Sequence, residues 1–290
     1  KTEGAQLVAC CDVNEEQARK AHRQWEADHW FTDYNEMFDK CDGLDAVIIA
    51  SPNNAHRNQA IAAAKHGIHV VVEKPLEITL EKGLEIVEAC EKNEVLLGVI
   101  FQMRFGEAAK RLKSAIDEGR MGRLLVADAF DKEGRLPEYY ARDYWRGTRE
   151  IEGGGCLITQ SIHIIDLLQW LAGPVDSVYA RKKAVLHDIE TEDYAAAIVN
   201  FKNGALGLIE SSTAVKPALK GRVEIHGTEG SAIINGEWDE IFFWDMGDDK
   251  RIDAPDGFKF ADIDNPRLMP ENRHGMELQD IADAVRDSRP

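Results

Sequence analysis

Short apolar runs alternate with longer amphipathic stretches through residues 1–101, and this alternation restricts the fold more than any single motif. AQLVACCD reads as a strand and NEEQARKAHRQWEAD as a helix with Asn14 at its N-cap. LDAVIIASP is a continuous apolar run, and NAHRNQAIAAAKHG is a helix that closes on Gly67. The same rhythm repeats in the strand IHVVVEKP, the helix TLEKGLEIVEACEKN and the strand EVLLGVIF. Strands that are apolar throughout bury both faces, and helices between them supply the crossovers. The pattern predicts a parallel, doubly wound α/β sheet.

After Gln102 the pattern changes. A helix (GEAAKRLKSAIDEG) leads to the strand RLLVADAF and to a stretch rich in aromatic and charged residues, DKEGRLPEYYARDYWRGTREIE. GGGCLITQSIHIIDLLQW then reads as one apolar helix entered through three glycines. The β-rich runs YAAAIVNF, ALGLIESS, VEIHGTEGSAIING and EIFFWD follow, with Lys202-Asn203-Gly204 and Thr228-Glu229-Gly230 as turns. The second part is expected to be α+β with a large, mainly antiparallel open sheet. The expected domains are therefore 1–101 and 102–290.

Charge narrows the partners. Thirty-five basic against 52 acidic residues give a formal charge of −17. With no basic cluster to neutralise phosphates, nucleic acid and anionic membrane surfaces are poor partners. No apolar run approaches the roughly 18 residues of a membrane span, and no signal peptide is visible. The cysteines, Cys10, Cys11, Cys41, Cys90 and Cys156, are odd in number and form no C-x-x-C, so reduced thiols in a cytoplasmic protein are expected.

In a doubly wound sheet, ligands sit beyond the carboxyl ends of the strands. Asp12 ends the first strand, where a carboxylate accepts hydrogen bonds from ribose hydroxyls and repels a 2′-phosphate. Ser51-Pro52-Asn53-Asn54-Ala55-His56 ends the second, and Glu73-Lys74-Pro75 the third. Pro75 restricts Lys74 to an extended backbone, which fixes the direction of a candidate acid/base group. Thr159 and His163, four apart on one helix, share a face. The glycines before them bring backbone N–H groups close to where a sugar oxygen or phosphate would lie. Each feature has a plain structural alternative: a helix-entry Asp, a cap, a surface ion pair or a packed core histidine. His163-x-x-Asp166 lacks a third metal ligand, and no metal site is expected.

Together, and in this order, Asp12, S-P-x-x-x-H, E-K-P, GVIFQMRF, YWRGT and the G-G-G…H helix resemble the Gfo/Idh/MocA family of NAD(P)-dependent oxidoreductases. VEIHGTEGSAIING resembles its sheet hairpin. The resemblance implies that Asp12, Ser51, Pro52, Asn53, His56, Glu73, Lys74 and Gln102 bind the cofactor, with NAD favoured over NADP. It implies Lys74 and His163 as catalytic groups, with Thr159 beside them. Arg104, Tyr144, Trp145, Arg146, Thr159 and His163 are the implied substrate contacts. The implied reaction is hydride transfer between NAD(P) and a secondary alcohol or ketone of a sugar, polyol or nucleotide sugar. The alternatives are an NAD-dependent glycoside hydrolase of the same fold and a non-catalytic sugar or NAD sensor. A homodimer or homotetramer through the C-terminal sheet is also implied.

Two departures from the family pattern stand out. The strand–G-x-G-x-x-G–helix that holds the pyrophosphate would precede residue 1, and KTEGAQLVACCD looks like the end of that unit running into the next strand. The chain likewise stops at IADAVRDSRP, short of the family's closing helix. Residue 159 is Thr where the family commonly has Asp. Thr carries no charge to raise the pKa of an adjacent imidazolium, and ITQSIH looks closer to nucleotide-sugar dehydrogenases.

Overall fold

A computed structural model describes residues 2–219, 221–235, 239–247, 250–252, 272–287 and 289. The chain divides into two units, 1–100 with 277–290, and 101–276. The segment 277–290 thus joins the N-terminal unit, whereas the expected second domain ran from 102 to 290.

In the first unit, β1 (Ala9–Cys11) leads into α1 (Glu15–Trp25). Asn14 Oδ1 caps that helix by accepting from the N–H groups of Glu16 and Gln17. β2 (His29–Phe31) and α2 (Tyr34–Lys40) follow, then β3 (Ala46–Ile49), α3 (His56–Lys65), β4 (His69–Val72), α4 (Leu80–Lys92) and β5 (Leu97–Val99). Asp33 caps α2 and Thr79 caps α4 in the same manner. The sequence reading did not pick out β2 and α2, because three-residue strands and seven-residue helices carry little periodicity.

β1 pairs in parallel with β2, and β3, β4 and β5 form a second parallel ladder. The expected parallel α/β architecture is present. β4 is the strand flanked on both sides, and Val70, Val71 and Val72 are buried. β3 is a ladder edge among the described residues, and Ile48 is 56% exposed, so its apolar run is not buried on both faces as expected. Ile49, Ala60, Ala63, Ala64, Val70 and Ile86 belong to the unit's core.

The second unit begins with a 3-10 turn, Gln102–Phe105, and α5 (Glu107–Asp117). β6 (Leu124–Lys132), α6 (Pro137–Ala141), α7 (Cys156–Thr159) and α8 (Ile162–Ala172) precede a run of strands. These are β7 (Val175–Lys183), β8 (Tyr194–Phe201), β9 (Leu206–Ser212), β10 (Arg222–Gly227), β11 (Ser231–Asn235) and β12 (Glu240–Asp245). Helix α9 (Asn272–Asp287) closes the described chain. Neither β7 nor α9 was picked out in the sequence.

The seven strands lie in the order β12-β11-β10-β6-β9-β8-β7, antiparallel except for β6 with β9. Residues alternate between faces along each strand. Ala127, Val223, Ile225, Ile234 and Trp244 pack in one core with Leu112 of α5 and Leu167 and Leu168 of α8. Tyr179, Ile198 and Leu208, register neighbours on β7, β8 and β9, are exposed.

The glycine-entered apolar helix is not continuous. Ser161 N–H donates to Cys156 O, five residues back, so the turn between α7 and α8 is widened as in a π-bulge. The cause lies in the Ser161 side chain, whose hydroxyl donates to Asp131 Oδ2 at 2.6 Å and contacts Ser211 Oγ, all three residues being buried. Thr159 therefore closes α7 while His163 belongs to α8. The expectation that they stack along one uninterrupted helix is corrected.

Candidate functional site

Register places the strand-end residues of the first unit. Ile49 of β3 lies opposite Val72 of β4, and Glu73 N–H donates to Ile49 O at 2.9 Å as the last ladder bond. Beyond that bond both strands turn outward at the same end, bringing Ser51-Pro52-Asn53 beside Glu73-Lys74-Pro75. Ser51 Oγ donates to Gln59 Oε1 at 2.9 Å, and Glu73 Oε2 accepts from Lys74 N–H at 3.2 Å. Glu73 and Lys74 are half-buried, and the Lys74-Pro75 peptide is cis.

His56, one of the expected cofactor residues, is completely buried. Its Nε2 lies 2.9 Å from Ser51 O and its Nδ1 2.9 Å from Pro75 O. Both ring nitrogens are thus engaged with the backbone of the two strand-end loops, and neither is presented to a ligand. Asp12 follows β1 and is exposed; its Oδ1 accepts from Asn14 N–H at 2.8 Å. A carboxylate there suits the ribose hydroxyls of a dinucleotide. The residues present therefore fit NAD.

In the second unit, the three glycines serve a different purpose from the one expected. Gly155 N–H donates to Glu192 Oε1 at 3.1 Å and Cys156 N–H to Glu192 O at 2.9 Å. A Cβ on Gly155 would stand 1.7 Å from Glu192 O, so only glycine permits the approach. The N–H groups of Gly155 and Cys156 are thus taken by Glu192.

Thr159 Oγ1 lies 2.8 Å from Gly155 O and against the Gln160 carboxamide. The other end of that carboxamide contacts Tyr139 OH at 3.0 Å, which also accepts from Arg146 Nη1. The Arg146 guanidinium is stacked between the Tyr139 and Trp145 rings, 4.3 and 4.4 Å from their centroids, and donates from Nε to Asp143 Oδ2 at 2.7 Å. Arg146 and Arg142 together hold the Asp143 carboxyl below its usual range. Buried Glu152 accepts from Gly147 N–H, and Glu190 N–H donates to Gly147 O at 3.0 Å, which fixes the W-R-G turn. Thr159, Trp145 and Arg146 are thereby brought into one cluster. Tyr144 is 84% exposed.

His163 is buried, with its ring edge-on to Phe101 at 6.2 Å. Arg104, an expected substrate contact, instead grips Asp166 of α8 through Nε, at 2.7 Å, and Nη2. Its fork is occupied by that carboxylate. Burial pushes the Asp166 carboxyl up, and Arg104 pulls it back only in part. Gln102 is buried, and among the described residues its Oε1 has no hydrogen-bond partner.

The supporting residues Tyr139, Gln160, Glu152 and Glu192 were missed in the sequence. The E-Y-Y between Pro137 and Trp145 and the carboxylates flanking the glycines were the available signals. Their pairing across 21 and 37 positions is not local information.

Comparison with known proteins follows the same division. Residues 1–101 match the model of an oxidoreductase family with an NAD-binding Rossmann fold, and residues 109–233 match a GFO/IDH/MocA C-terminal domain. A 1,5-anhydro-D-fructose reductase of Ensifer adhaerens is 34% identical over 192 residues, 66% of this chain and 56% of the reductase. The scyllo-inositol 2-dehydrogenase (NAD(+)) of Bacillus subtilis is 30% identical over 99% of this chain and 80% of its own. The crystal structure of the WlbA dehydrogenase from Bordetella pertussis, in complex with NADH and UDP-GlcNAcA, superposes with a TM-score of 0.82. It is 32% identical and aligns with 98% of this chain and 80% of its own.

Proposed function

Because the chain belongs to the Gfo/Idh/MocA oxidoreductase family, we propose that it transfers a hydride between NAD and a secondary alcohol or ketone carbon of a sugar, polyol or nucleotide sugar. The observation that carries the reading is the Ile49–Val72 register, which delivers S-P-N and E-K-P at the same end of one parallel ladder. The relatives support the substrate class, being named for an anhydro-sugar, an inositol and a nucleotide sugar acid.

In the oxidative direction His163 takes the hydroxyl proton as the carbon's hydride departs, leaving a ketone. Lys74 lends positive charge to the oxygen while it carries alkoxide character. NAD, when bound, supplies the hydride acceptor. Thr159, which cannot ionise, offers a hydroxyl for positioning, and the stacked Arg146–Trp145 pair presents a stiff wall to the sugar. Asp12 favours NAD over NADP by repelling a 2′-phosphate. Following NAD reduction over a panel of sugars, polyols and nucleotide sugars tests the proposal. NADH formation with at least one member is expected.

We further propose that the outer face of the seven-stranded sheet joins a second copy of the chain. Tyr179, Ile198, Leu206 and Leu208 are exposed on one face of β7, β8 and β9, more apolar surface than scattered single residues present. The ion pairs Lys132–Glu210 and Arg222–Glu224 add matched charge of both signs. A reducing cytoplasm suits the five cysteines, all of which are free. Among the described residues no helix is long and apolar enough to cross a membrane.

A further inference from the structure

We infer that His56 is a positioning residue that ties the two strand-end loops together, so that S-P-N and E-K-P move as one piece. The parallel ladder of β3 and β4 ends with the bond from Glu73 N–H to Ile49 O. The imidazole takes over where the ladder stops, with Nε2 on Ser51 O and Nδ1 on Pro75 O, each at 2.9 Å.

Three features make this a tie rather than ordinary packing. The ring is fully buried, so water is not available to replace either contact. Both partners are backbone carbonyls, so a ring with one N–H donates to one of them and packs against the other, and both contacts fix main chain rather than mobile side chains. The backbone that presents the ring is itself anchored. His56 N–H donates to Asn53 O and Ala55 N–H to Pro52 O at 2.9 Å, which locks His56 to the S-P-N loop while its side chain reaches the other loop. Lys74 lies next to the carbonyl-bearing Pro75, so the ring fixes the backbone that carries the Lys74 ammonium. A buried carbonyl left without its donor is costly enough to make the loop rearrange.

The consequence for NAD rests on the dehydrogenase reading above, whereas the tie itself does not, and two measurements separate them. Asn places its side-chain nitrogen near the position of Nδ1, and Gln near that of Nε2. In the ligand-free protein, hydrogen exchange should therefore split by variant. His56→Asn should keep wild-type protection at the amides of 74–77 and lose it at 51–54. His56→Gln should do the reverse, and His56→Leu should loosen both segments, while α4 and β5 stay protected in every variant.

Either polar variant leaving both segments as protected as in the wild type would overturn the tie. So would loosening that spreads over the whole unit, which would mark His56 as a general core residue. Fluorescence titration with NADH should show His56→Leu binding at least about tenfold more weakly, the scale of one buried polar group left unpaired. Unchanged affinity in that variant would overturn the link to the cofactor. A wild-type chain that failed to bind NADH, with the G-x-G-x-x-G unit that would precede residue 1 restored, would sink the dehydrogenase reading and leave the exchange data to judge the tie.

Discussion

Ser161 and Asp131 meet at 2.6 Å, hydroxyl to carboxylate, where α7 gives way to α8. This buried contact accounts for the widened turn that separates Thr159 from the helix of His163. Ser161→Ala removes a donor from the Asp131 carboxylate and should cost about 1–3 kcal/mol, the penalty for a buried polar group left short of a partner. Urea unfolding measures it. A loss within the ±0.5 kcal/mol typical of surface substitutions would mean that the turn is set by something else.

Arg104 and Asp166 make a second testable pair. The Asp166 carboxyl is raised by burial, and Arg104 opposes the rise. A carboxyl raised in the folded state binds more protons there than when unfolded, so its contribution to stability falls as pH climbs through the raised value. Arg104→Ala should enlarge that fall. The variant should approach wild-type stability in acid and lose about 2 kcal/mol at neutral pH, less than a fully buried pair because Arg104 is part exposed. Thermal unfolding across pH 3–8 checks the slope.

Asp193 should show the opposite slope. Burial pushes its carboxyl up, but the N–H groups of His187, Val185 and Leu186 and the His187 ring outweigh that and hold it below the usual range. A depressed carboxyl contributes stability that is present above the unfolded value and lost as pH falls through the folded one. Asp193→Asn should therefore destabilise by about 2–3 kcal/mol at neutral pH. The gap from wild type should close in acid, and a gap independent of pH would contradict the assignment.

The sheet face yields a prediction about assembly. Ile198 and Leu208 are register partners on β8 and β9, and both are exposed. Replacing both with Asp puts like charges side by side at the proposed contact without touching the core. Light scattering after gel filtration should show the wild-type chain as at least a dimer and the double variant as a monomer. A wild-type monomer at micromolar concentration would end the proposal.

Much of the architecture was legible because it is written in local periodicity. Continuous apolar runs such as VVV before E-K-P marked β4, and K-N-G marked the turn from β8 to β9. β7 was missed because it is an exposed edge strand, and VDSVYARKK offers too many charged residues to look buried. The helix break could not be read because its cause, Asp131, lies thirty residues upstream on β6. For the same reason the Arg104–Asp166 pair could not be read: the two residues are 62 positions apart. Lys74 and His163 stood out through their places in the Gfo/Idh/MocA pattern, since a histidine in an apolar helix taken alone reads as a packed core residue. His56 between two carbonyls, Glu152 on Gly147 and Glu192 on Gly155 become evident only from the folded chain.

The central claim is that His163 takes the proton and Lys74 stabilises the charged oxygen in an NAD-linked oxidation of a sugar-type alcohol. The most direct measurement is steady-state NADH formation, with the best substrate from the panel, by the wild type, His163→Ala and Lys74→Ala. Each replacement should lower kcat by about 10²-fold or more, the scale of general acid–base catalysis, while NADH affinity of His163→Ala stays near wild type. Near-normal turnover in both variants would contradict the account.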